Sequence, residues 1–111
     1  MSIGAITGYH AHVYFDADNR EQAAKLCTAA GETFGVKIGR MHDKPVGPHP
    51  RGSCQLTVPV GQFATVIPWL IENRRGLTIF THAETGDALK DHTDHVIWLG
   101  SSEPLKLSAL G

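Results

Sequence analysis

Between Gly8 and Phe15 the chain reads GYHAHVYF, a run of aromatic and β-branched residues in which apolar and polar positions alternate. Alternate residues of a strand share a face. Tyr9, Ala11, Val13 and Phe15 therefore form a core face, and His10, His12 and Tyr14 an opposite face carrying two imidazoles. Asp18 and Glu21 are spaced as a capping box. They open a helix whose apolar positions, Ala23, Leu26, Cys27, Ala30 and Phe34, recur at helical spacing, with Gly35 as its stop. Val36–Met41 alternates as a short second strand. His42–Gly52 (HDKPVGPHPRG) carries Pro45, Pro48 and Pro50 and is predicted to be a loop of restricted backbone.

Cys54, Leu56 and Val58 alternate with Ser53, Gln55 and Thr57, which predicts a third strand. Gly61–Asn73 places Phe63, Val66, Ile67, Leu70 and Ile71 on one helical stripe, with Pro68 expected to kink or shorten it. Leu77–Thr81 reads as a fourth strand, Ala83–Asp91 as a turn with room for one helical turn, and His95–Leu99 as a last strand. The segment around Pro104 reads as a loose tail. The order strand, helix, strand, strand, helix, strand, plus a terminal strand, predicts an α+β ferredoxin-like sandwich. Its antiparallel sheet would carry both helices on one face and leave the other open to a ligand or a second subunit. One domain is expected over residues 1–111, with its core at about residues 8–100.

Composition narrows the class. The 111 residues are 41% hydrophobic and 19% charged, and 10 basic side chains nearly balance 11 acidic ones. That balance offers no electrostatic footprint for nucleic acid or an anionic membrane. No apolar run reaches the roughly 20 residues that cross a bilayer. Met1-Ser2-Ile3-Gly4 lacks the start of a signal peptide, so a reducing cytoplasm is the expected setting. Cys27 and Cys54 sit on predicted core positions and read as packing residues.

The chain has 7 histidines, and these demand a chemical explanation. His10 and His12 can converge on one ion from the same strand face, with His82 arriving from the end of the fourth strand. These three are the expected metal ligands. No carboxylate holds a strand position beside the first two. Either Glu84, Asp87 or Asp91 completes the set from a loop, or three histidines suffice. His42 and His49 flank the proline-rich loop, where ring placement costs little further entropy. His92 and His95 lie beside Asp91 and Asp94. Arg51 could grip a substrate carboxylate through a bidentate fork, and Tyr14 shares the histidine face. Phosphate-binding loops, nucleophile elbows and His-Glu-x-x-His motifs are absent.

Four segments, YHAHVYFD, HDKPVGPHPRGSCQ, GLTIFTHAETGD and DHTDHVIWLG, together resemble the DOPA dioxygenase family, from about Tyr9 to Gly100. All seven histidines fall on the family's histidine-bearing motifs. Where the family pattern has Pro-Asn after the fourth-strand histidine, this chain has Ala83-Glu84. The resemblance implies an extradiol ring-cleaving dioxygenase using non-haem Fe(II) and O2, with zinc an alternative occupant. Its substrate would be a catechol such as DOPA. His49 is the expected acid–base group, with His42 and His95 behind it, and Arg51 and Tyr14 are the expected substrate contacts. Two other readings share the fold. One is a dimeric, non-catalytic binder of a metal or aromatic ligand. The other is a metal-independent monooxygenase of the dimeric α/β-barrel type. A homodimer is expected in each case.

Overall fold

A computed structural model describes residues 5–110, so the reading of Met1-Ser2-Ile3-Gly4 lies outside the described residues. Five strands, β1 (Gly8–Phe15), β2 (Lys37–Ile38), β3 (Gly52–Val58), β4 (Ile79–Glu84) and β5 (Val96–Leu99), alternate with helices α1 (Arg20–Phe34), α2 (Phe63–Asn73) and α3 (Ala88–Asp91). The strands form one antiparallel sheet in the order β2-β3-β1-β4-β5. This is the ferredoxin-like sandwich with an added edge strand. No helix among the described residues is long and apolar enough to cross a membrane.

The alternation in β1 is realised as predicted. Ala11, Val13 and Phe15 join Cys54, Leu56, Val58 and Ile79 in a core closed by Ala23, Leu26, Cys27 and Ala30 of α1 and Val66, Ile67 and Leu70 of α2. Both helices therefore cover the same sheet face. α1 ends at Gly35, whose left-handed φ of 72° lets its N–H donate to the Gly31 carbonyl at 2.8 Å. Its start differs from expectation. A short 3-10 turn over Ala17–Asn19 precedes the helix, and Asn19 Oδ1 accepts from the Asp16 N–H at 2.6 Å. Pro68 does not end α2. It lies on the exposed side, as does Ala64, so water can take the hydrogen bond that proline cannot donate.

Three departures bear on the site. Strand β2 is shorter than Val36–Met41 because its pairing with β3 is bulged. From Ile38↔Leu56 to His42↔Ser53 the chain takes four steps on one side against three on the other. Strand β4 runs on to Glu84, which puts His82 inside the strand directly across from His10. The tail is not loose: the Lys106 N–H donates to the Pro48 carbonyl at 2.8 Å, and Leu107–Leu110 form a 3-10 turn.

Thr81 points to the helix side of the sheet, opposite Ala11, and its buried Oγ1 has no hydrogen-bond partner among the described residues. An unpaired buried hydroxyl destabilises the folded state, and valine has nearly the same shape. Thr81→Val is expected to raise unfolding free energy by about 1 kcal/mol. A lower urea midpoint for this variant would contradict that account.

Candidate functional site

The sheet face away from the helices was expected to be open, but it is covered. The loop between β2 and β3 lays His49 against it, the turn after α3 adds His92, and β5 contributes Trp98. His49 packs against His12 with tilted rings whose centroids are 4.1 Å apart, His92 against His82 at 4.1 Å, and Trp98 against Phe80 at 4.6 Å. His12, His49 and His82 are buried, and Tyr14 and Phe80 have no exposed surface.

At the centre, one nitrogen each of His10, His12 and His82 lies within 4.8 Å of the others. Strand register creates this cluster: His10 and His82 face each other across β1 and β4, and His12 is two residues along. The Nε2 atoms of His12 and His82 are 3.1 Å apart. Two nitrogens bound to one ion at about 2.1 Å lie about 3.0 Å apart at a right angle and about 3.4 Å apart at the tetrahedral angle. The observed spacing falls between these.

Protonation suits the same purpose. A carbonyl can only accept, so the 3.0 Å contact from His82 Nδ1 to the Ala83 carbonyl places the proton on Nδ1 and leaves Nε2 bare. Burial pushes the His82 pKa down to about 4 and, together with the rings of His49 and His82, holds His12 well below the ordinary range. Burial also lowers His10, against the pull of Glu84, whose Oε1 lies 2.9 Å from His10 Nε2. Glu84 thus comes from β4 itself and orients His10. Three neutral imidazoles converging on one point form a donor set that fits a first-row divalent metal.

Around this centre, His49 Nδ1 is 2.8 Å from the Tyr14 hydroxyl. Burial, reinforced by nearby imidazoles, pushes His49 down to about 4. Tyr14, expected as a substrate contact, is wholly enclosed and reaches the site only through His49. His42 lines a cleft of about 300 Å³ that ends on His12 and His49.

Two expected residues stand elsewhere. The Arg51 fork is engaged by Glu103, with contacts of 3.0 and 2.8 Å, and by Asp16 at 3.2 Å. It is therefore committed to its own chain and clamps the tail to the His49 loop. His95 is exposed and outside the packed rings. Its Nδ1 lies 2.9 Å from Asp91, which also accepts from the Thr85 N–H and Oγ1 at 2.8 and 2.6 Å. Burial raises the Asp91 carboxyl, but these bonds outweigh it and hold it below its ordinary value. Asp87 caps α3 by accepting from the Lys90 N–H. The sequence sets His92 beside Asp91 and Asp94, where a solvated polar turn accounts for it almost as well as a site does, and gives it no role. The His92 Nδ1 donates to the Ala88 carbonyl at 2.7 Å, which seats the ring on His82.

The comparisons place this geometry among known proteins. The model of the Dopa 4,5-dioxygenase family matches residues 9–109. A DOPA 4,5-dioxygenase from Amanita muscaria is 36% identical over 95% of this chain, and an uncharacterized 21.2 kDa protein from Botryotinia fuckeliana is 34% identical over 97%. The chain spans only 50% and 66% of those two proteins. The crystal structure of a candidate dioxygenase from Nostoc punctiforme PCC 73102 is 46% identical, with a TM-score of 0.95 over 99% of this chain and 96% of that one.

The depressed histidines make the metal-free fold acid-sensitive. Unfolded histidine titrates near 6.5, so below that pH the unfolded state binds protons that folded His49 and His82 refuse until about pH 4. The two rings make no pH-dependent contribution above pH 6.5, and a destabilising penalty builds as the pH falls to about 4 and is constant below it, before Asp91 titrates. Thermal unfolding midpoints of metal-free protein should fall across this window, with a shallower slope in His49→Phe. An unchanged slope would contradict the assignment.

Proposed function

Because the chain belongs to the Dopa 4,5-dioxygenase family, we propose that it is an extradiol dioxygenase that cleaves a catechol ring with non-haem Fe(II) and O2. The observation that carries this reading is the convergence of three neutral imidazoles on one sheet face. His10, His12 and His82 would hold the metal. When bound, Fe(II) would supply Lewis acidity toward the catechol hydroxyls and reactivity toward O2.

The remaining roles belong to the chain's own groups. His49 is the acid–base residue: neutral at pH 7, it takes the catechol proton on Nε2 and, as a strong acid once charged, returns it. Tyr14 supports both states. With Nδ1–H of His49 donating to the Tyr14 hydroxyl oxygen, 2.8 Å away, Nε2 would be left free to receive the proton. Burial, helped by Glu103, raises the Tyr14 pKa, so the phenol stays neutral throughout. His42, in the same cleft, is the substrate-side neighbour. His95 acts at a distance by fixing Asp91 and the turn that carries His92. Arg51 fixes the His49 loop. The aromatic wall of Phe80, His92 and Trp98 limits water at the reacting centre.

The rest of this reading is a single domain working as a cytoplasmic homodimer.

Anaerobic loading with Fe(II), followed by air and a catechol in an oxygen-electrode cell, tests the reaction. Stoichiometric oxygen uptake with a new visible band from the ring-opened product is expected, and no uptake with any catechol would refute it. His82→Ala should lose the metal, whereas full iron occupancy in that variant would overturn the ligand set. His49→Gln should keep the metal and lower kcat by roughly 10²–10⁴-fold. Unchanged kcat would remove His49 from the mechanism.

A further inference from the structure

The cleft of about 300 Å³ that ends on His12 and His49 has a second feature beyond its histidines. Its inner wall is buried imidazole, while its outer wall is formed by the exposed side chains of Lys37 and Arg40 together with His42. Among the described residues lining this cleft none is acidic. Lys37 and Arg40 also have no carboxylate within ion-pair distance among the described residues. The nearby cation Arg51 is taken by Glu103 and Asp16, and the nearby anion Asp43 is taken by Arg20. The cleft mouth is therefore a pair of uncommitted cations with no counter-charge. Its volume sits at the bottom of the usual small-molecule range of roughly 300–1,000 Å³, which suits a single-ring ligand.

We infer that Lys37 and Arg40 are the specificity-determining residues of this cleft, and that its ligand is a catechol bearing a short carboxylate side chain and no ammonium group. The inference rests on the ring-cleavage reading for the catechol end alone. Its anionic end follows from the cleft. A planar guanidinium at the mouth can take a carboxylate through two parallel hydrogen bonds, with the aromatic ring directed inward to His12 and His49. An α-ammonium on the same side chain would meet Lys37 and Arg40 with no acceptor charge to offset it. Like charges in such a site act against the wrong ligand.

The test measures Kd by calorimetry on protein loaded with redox-inert Zn(II), so that binding is read without turnover. The probes are dihydrocaffeate, L-DOPA, which differs from it by the ammonium, and 4-methylcatechol, which lacks the carboxylate. Dihydrocaffeate should bind at least about ten-fold more tightly than either of the others. Arg40→Gln should weaken dihydrocaffeate by roughly ten- to hundred-fold and leave 4-methylcatechol unchanged, and Lys37→Gln should add to the loss. Arg40→Lys should restore part of it, and Arg75→Gln, on the helix side, should change nothing. Equal affinities in the wild type, a preference for L-DOPA, or a gap that survives the Arg40→Gln/Lys37→Gln double variant would each overturn the inference. Should the affinity gap appear while the iron-loaded protein consumes no oxygen with any catechol, the ring-cleavage reading falls and the anionic cleft stands.

Discussion

The site depends on the register between β1 and β4. Antiparallel pairing sets His10 across from His82 and His12 across from Phe80, so the two strands deliver three imidazoles and an aromatic ring to one face. A slip of one residue would turn every side chain of a strand over, moving its histidines into the helix-side core and its apolar residues out. Burial on both faces makes such a slip costly. Ala11, Val13 and Ile79 are locked under α1 and α2, while His12, Phe80 and His82 are locked under the loops. The same packing that stabilises the fold therefore sets the distances within the histidine cluster.

Burying so many imidazoles requires a partner for nearly every nitrogen. The chain meets this locally where it can. His82 donates to the carbonyl of the next residue, and His92 donates one helical turn back to Ala88. Elsewhere the partners are distant in sequence: Tyr14 for His49, Glu84 for His10, and His12 for His82. Desolvation keeps His10, His12, His49 and His82 neutral, and neutral rings are what a metal or a proton acceptor needs. Their burial is thus an energetic cost to the metal-free fold that prepares the site for its chemistry.

The β2–β3 loop is held from outside the sheet. Glu103 and Asp16 grip Arg51 from opposite sides, and the Lys106 N–H reaches Pro48. Three prolines limit the loop's freedom, and these contacts choose one conformation from the few that remain. Gly52, where the loop rejoins the sheet, has no room for a side chain: an added Cβ would lie 2.9 Å from the Phe15 carbonyl. His49 is placed by this clamp as much as by its own bond to Tyr14.

Read alone, the sequence determined the fold class, the two faces of β1 and the convergence of His10, His12 and His82. Those features follow from a two-residue and a helical period, which are local and visible in any short window. Family motifs spread along the chain added the chemistry to be expected of them. Tertiary structure alone decided that the sheet face is covered, that Arg51 belongs to Glu103, that Tyr14 is enclosed, and that His92 rather than His95 joins the rings. It also extended β4 through Glu84 and bulged β2 at its pairing with β3. Each of these depends on a partner many residues away or on one extra step in an edge strand. A side chain's type states what bonds it can make, but the folded chain determines which partner comes within reach.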